Sequence, residues 1–143
     1  VFPELVAIPY FDMKSALFRI LGNKPDVQLK MLDHHYRGYP RAVFNRVVAD
    51  DKTNRPMAMP EWSDCDDYAW RFKNNMSFWY NSNAVGFVLD ESSWHAYNVV
   101  VFPDHSVELF EPQQDRFVAL DEAITIATPT VGITWFSLEA AVN

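Results

Sequence analysis

The only cysteine of this 143-residue chain, Cys65, lies in EWSDCDDYAW with aspartates at positions 64, 66 and 67. Negative charge beside a thiol disfavours the thiolate. Three carboxylates around one sulfur therefore leave two readings: the cysteine is inert, or something neutralises its neighbours. A nucleophilic cysteine also needs a base, and the chain has four histidines. His34 and His35 stand in the polar stretch LDHHYRG and His105 in the turn PDHS, where solvated side chains are expected. His95 opens the apolar run WHAYNVVVF, either as a satisfied core residue or as the partner of the sulfur. Glu111 ends the next run, VELFEP, on the same strand face as Val107 and Leu109, and a carboxylate on a core face is costly without a partner. Brought together, these groups have the roles of an acyl-transfer site. Cys65 attacks an acyl carbon, His95 takes and returns its proton, and Glu111 fixes the imidazole tautomer.

Whether they meet depends on the elements that carry them. Ser63 is a good N-cap with Asp66 as its reciprocal residue, and Cys65, Ala69, Phe72 and Met76 then form one apolar stripe. This puts Cys65 in a helical first turn, where free backbone N–H groups favour an anion. The same position also suits a small buried hydrophobe, which is the usual fate of a free cysteine. If the runs around His95 and Glu111 form a hairpin across Pro103–Ser106, an even pairing sum such as 208 puts both residues on one face. An odd sum sets Asn98 against Glu111 and turns His95 away.

The remaining chain supplies the frame. A helix is expected over Asp12–Leu21 with Asp12 as N-cap, an extended segment over Val27–Leu32, and a helix over Tyr39–Asp50 behind Pro40. A loop follows at Asp51–Glu61. From Ala84 the texture becomes strands: AVGFVLD, WHAYNVVVF, SVELFEP, RFVAL and AITIAT. Helices first and an antiparallel sheet after give an α+β fold in a single domain over residues 1–143.

Composition sets outer limits. Hydrophobic residues make up 49% of the chain and the net charge is −7, without the clustered Lys and Arg that phosphate binding needs. Nucleic acid is therefore not expected as a partner. The longest apolar run, around Ala96–Phe102, is broken by Asn98, so no membrane span is expected. A lone cysteine marks no oxidising compartment, and the N-terminal residues do not resemble a signal peptide, which weakly favours the cytoplasm. A homodimer is compatible with the chain.

Asp64–Tyr68 (DCDDY), His95–Asn98 (HAYN) and Glu111–Gln113 (EPQ), with a GFVL strand at Gly86–Leu89, together resemble the calcium-dependent, papain-like cysteine peptidase domains of the Marasmius oreades agglutinin type, which include stand-alone phage and bacterial relatives. The resemblance is strongest over residues 61–117. It implies a papain-like fold, a peptide or protein substrate, and Cys65, His95 and Glu111 as nucleophile, base and orienting acid. It also implies Ca²⁺ near Asp64, Asp66 and Asp67, with Gln113 as a further ligand. Such an ion would answer the charge around Cys65 by neutralising the aspartates and locking the helix start. One departure stands out: no glutamine precedes the cysteine to complete an oxyanion hole, which leaves Asn54 or the Trp62 indole as substitutes. The sugar-binding repeats of the agglutinin are absent, so the resemblance implies no lectin activity. Two rivals remain beside the peptidase. One is another acyl-transfer enzyme, transglutaminase-like or an amidase, on the same triad. The other is a degenerate binding or structural module, with aromatics such as Trp62, Trp70, Trp79 and Tyr80 lining a groove for sugars or peptides.

Overall fold

The structure is a computed structural model that describes residues 2–19, 28–29, 31, 33–51, 64–90, 95–118 and 133–136. In chain order these residues form β1 (Val6–Ile8), α1 (Tyr10–Leu17), β2 (Gln28–Leu29), β3 (Tyr36–Gly38), α2 (Arg41–Asp50), α3 (Cys65–Phe78), β4 (Val85–Asp90), β5 (His95–Val101), β6 (Val107–Glu111), β7 (Arg116–Val118) and β8 (Ile133–Phe136). Strands β1 and β3 pair with each other, while the main sheet has the order β2-β8-β4-β5-β6-β7. The β2–β8 pair is parallel, and the other pairs described in this sheet are antiparallel.

This arrangement corrects the expectation of helices first and a sheet after. Strands β1, β2 and β3 precede α2 and α3, and β2 joins the main sheet from the early part of the chain. Strand β2 lies within the extended segment expected at Val27–Leu32, while β1 and β3, at three residues each, are too short to show an alternation in sequence. The expected strand at AITIAT lies outside the described residues.

The sheet is covered on both faces. Met13, Ala16 and Leu17 of α1 pack with Val88, Tyr97, Val99, Val101 and Leu109 on one side. Phe44 and Val47 of α2 and Phe72 and Met76 of α3 pack with Val85, Val100, Phe102 and Phe110 on the other. A strand covered twice has no solvent face, which explains why NVVVF in β5 reads as a nearly unbroken apolar run. Gly38 sits where α1's layer meets the sheet end; a Cβ there would lie 3.0 Å from the Ala84 side chain and 3.1 Å from the Val101 carbonyl oxygen.

Among the described residues, no helix is long and apolar enough to cross a membrane.

Candidate functional site

The hairpin between β5 and β6 decides the site. Its five-residue connection runs from Phe102 to Ser106, closed by Phe102 N–H to the Ser106 carbonyl and His105 N–H to the Phe102 carbonyl. Asp104 accepts from the Ser106 backbone N–H at 2.9 Å, and His105 takes the left-handed conformation at φ 72°. The resulting pairs are Val101 with Val107, Val99 with Leu109 and Asn98 with Phe110. This is the even register, with a pairing sum of 208, and it puts His95 and Glu111 on one face.

The two side chains meet. His95 Nε2 lies 2.7 Å from Glu111 Oε2, and Glu111 is buried at 7% exposure. The carboxylate's other oxygen accepts weakly from the Gln113 backbone N–H at 3.4 Å. With Nε2 on the carboxylate, Nδ1 is the ring nitrogen left for Cys65, whose side chain hydrogen-bonds the same imidazole. The sulfur reaches it because the start of α3 overlies the end of the sheet where β5 begins. Cys65 packs against the cluster of Ala69, Phe87 and Ala96, and Ala96 adjoins His95. The Tyr97 ring, centred 5.5 Å from that of His95, lies beside it.

These contacts push the His95 pKa up to about 10. The hydrogen bond with Cys65 contributes most and that with Glu111 next, against an opposing effect of burial. The folded pKa lies above the unfolded one, so the protonated ring stabilises the fold fully below pH ~6.5, and this stabilisation is lost as pH rises through the folded value. Chemical denaturation between pH 6 and 10.5 is expected to show a decline that is absent in His95→Gln; parallel curves for the two proteins would contradict it.

Asp64 is the N-cap of α3, one residue later than expected, and it forms a capping box with Asp67, whose Oδ2 accepts from the Asp64 N–H at 3.2 Å. The carboxylates of Asp64, Asp66 and Asp67 can be matched oxygen to oxygen within 4.8 Å. Two ligands on opposite sides of a Ca²⁺, each about 2.4 Å away, are separated by about this distance, so the donor set fits a hard divalent cation. The side-chain hydrogen bond with Asp66, reinforced by its charge, holds the Asp64 carboxyl above the usual carboxylate range. Gln113 stands beside Glu111 on the turn after β6, and Asn54 and Trp62 lie outside the described residues.

In sequence Asn98 interrupts an apolar run, with no partner for its amide assigned there. In the structure it is fully buried between α3 and β4. A lone amide in such a run was the available signal, since a buried polar group needs partners. Of the aromatic run Phe78–Tyr80, Tyr80 is buried, while Phe78 and Trp79 are 74% and 76% exposed.

No family model matches the chain, and no curated protein does. Among solved structures it is similar to PSL1a in a complex with E64, at 23% identity and a TM-score of 0.68 over 80% of this chain and 47% of that one. It is also similar to the Polyporus squamosus lectin bound to the human-type influenza-binding epitope Neu5Aca2-6Galb1-4GlcNAc, at 23% identity and a TM-score of 0.60 over 78% of this chain and 45% of that one. The chain thus spans less than half the length of these neighbours. At this identity the likeness establishes a shared fold.

These findings correct the assignment suggested by the motifs. One neighbour is described as a lectin, and neither is described as a peptidase or any other enzyme. The identification with a papain-like cysteine peptidase of the agglutinin type is therefore not kept, and neither are the hydrolase activity and peptide substrate attached to it. The fold is the one shared with these two solved chains, a sheet with α1 on one face and α2 and α3 on the other. Short motifs of three to five residues record which side chains converge, and the same convergence serves more than one kind of ligand.

Proposed function

We propose that this chain is a ligand-binding module whose binding group is a thiolate–imidazolium pair, Cys65 with His95, oriented by Glu111. The observation that carries this reading is a single imidazole hydrogen-bonded to both a sulfur and a buried carboxylate. A cationic ring beside a sulfur favours the thiolate, and the first turn of α3 adds N–H groups that favour an anion. Such a sulfur takes an electrophilic carbon. With the epoxide E64, the ligand reported for one neighbour, sulfur attacks a ring carbon, the C–O bond opens, and the resulting alkoxide takes the proton held on His95. Intact-mass measurement at pH 6 is expected to show one E64 adduct, lost in Cys65→Ser. An unmodified wild-type protein under conditions that modify free cysteine would overturn the reading.

Calcium belongs to the same proposal. Asp64, Asp66 and Asp67 would hold it, and the ion would supply the positive charge that lets three carboxylates stand next to a thiolate. At a hundredfold excess over its dissociation constant, Ca²⁺ is expected to stabilise the fold by about 2.7 kcal/mol, read as a raised melting temperature relative to chelator. Asp66→Asn is expected to remove this response. An identical melt with Ca²⁺ and with chelator would contradict the metal.

The exposed pair Phe78–Trp79 at the end of α3 favours a second reading, glycan binding. Adjacent exposed aromatic faces can stack on sugar rings, and one neighbour is described with a sialylated glycan bound. Titration with that trisaccharide, comparing the wild type with Trp79→Ala, separates this reading from the thiol site.

A further inference from the structure

We infer that Asn98 is a positioning residue for the thiol site: its side-chain amide pins α3 to the sheet at the height that sets the separation of Cys65 and His95. Its Nδ2 donates to the Ala69 carbonyl oxygen at 2.9 Å and to the Gly86 carbonyl oxygen at 3.0 Å, using both amide protons. Ala69 follows Cys65 by four residues and lies one turn below it on the same face of α3. Gly86 lies on β4, and Asn98 itself lies on β5 three residues after His95. One planar group therefore links the helix that carries the sulfur, the strand that carries the imidazole and the strand beside it.

The amide is poorly suited to a purely space-filling role. Asn98 is 0% exposed, and its Oδ1 has no hydrogen-bond partner among the described residues. A buried acceptor without a partner is destabilising, and leucine, which has the same branched heavy-atom skeleton, would avoid that cost. What leucine cannot do is donate two hydrogen bonds in fixed directions. Apolar packing of α3 on Phe87, Ala96 and Val100 resists separation of the layers but tolerates sliding along the helix axis. Sliding by a fraction of a turn is enough to break a hydrogen bond between thiolate and imidazole. Asn98 removes that freedom.

This inference rests on the proposed thiol site, and the test separates the two. Cys65 alkylation by iodoacetamide is measured at pH 5.5 and pH 9 in the wild type, Asn98→Leu and Asn98→Thr, with each variant's cooperative unfolding checked by circular dichroism. Asn98→Leu is expected to lose about tenfold in rate at pH 5.5, where reaction depends on the imidazolium, and less than twofold at pH 9, where an ordinary thiol also ionises. Asn98→Thr can donate to one carbonyl and is expected to lose less at pH 5.5; it serves as the reporter if the leucine variant does not fold. A folded variant with the wild-type rate at pH 5.5 overturns the role of Asn98 alone. A wild type with no enhanced rate at pH 5.5 overturns the thiol site, and the positioning role falls with it.

Discussion

His95→Gln is expected to slow alkylation of Cys65 by iodoacetamide at pH 5.5 by between 10- and 100-fold, on the order set by thiolate fraction and nucleophilicity together. An ordinary thiol with a pKa near 8.5 is only about 0.1% thiolate at that pH, so a cationic ring beside the sulfur, which favours its anion, gives it a lead there. Part of that lead is returned, because a thiolate stabilised by its surroundings is a weaker nucleophile, with a Brønsted coefficient of about 0.4–0.5. Glutamine keeps hydrogen-bonding capacity and approximate size but carries no charge. The variant therefore isolates the imidazolium from the packing of the ring. It also leaves Glu111 buried without a cationic partner. The stability lost is expected to be about 2–3 kcal/mol, below the range for a fully buried pair because the His95 side chain keeps 28% exposure. Glu111→Gln is expected to reduce the alkylation rate less than His95→Gln, since the sulfur keeps its ring while the ring loses its orienting acceptor. Equal rates for wild type and His95→Gln at pH 5.5 would show that the imidazole does not act on the sulfur.

Phe44→Ala is expected to destabilise the fold by about 3–5 kcal/mol, the cost of emptying a fully buried aromatic site. Phe44 is 1% exposed, and its ring centroid lies 5.5 Å from Phe102, 5.6 Å from Phe110, 5.7 Å from Phe117 and 6.2 Å from Phe72. Those partners come from α3, the β5–β6 hairpin and β7, so one ring joins α2 to three other parts of the fold. Arg41, one turn earlier on α2, closes the rim with its guanidinium 4.3 Å from the Phe102 ring and an ion pair to Glu108. Surrounding side chains this interlocked cannot collapse into the space left behind, which places the expected loss toward the upper end. Urea unfolding at neutral pH measures it. A loss under about 1.5 kcal/mol would mean that the cluster repacks freely.

What could be read from the sequence followed the strength of local periodicity. The stripe Cys65–Ala69–Phe72–Met76 is the face α3 turns to the core, with Ala69, Phe72 and Met76 fully buried and Cys65 at its partly exposed end. Alternation left the β5–β6 pairing open between an even and an odd sum; the structure has the even one, which brings two residues sixteen apart into contact. The boundary of α3 was misjudged by one position because serine and aspartate compete for the same cap, and the Asp67 carboxylate decided between them. Helix α1 begins at Tyr10 behind Pro9 rather than at Asp12, since proline before a first turn is a start signal of its own. Strands β1 and β3 escaped notice because three residues cannot establish a period.

Function was less legible than geometry. Alternation and capping specify which side chains share a face, but what a nucleophile meets is settled by the shape of the cleft around it. The motif likeness supplied an activity that the solved neighbours do not carry in their descriptions, while the donor set and the register supplied contacts that the structure contains.

The pH–rate profile of Cys65 alkylation in the unmodified protein, from pH 4.5 to 10, tests the central claim most directly. An imidazolium held beside the sulfur predicts a rate that changes near pH 10, as His95 gives up its proton. A single tenfold-per-unit rise centred near pH 8.5, the behaviour of a thiol in water, would contradict it.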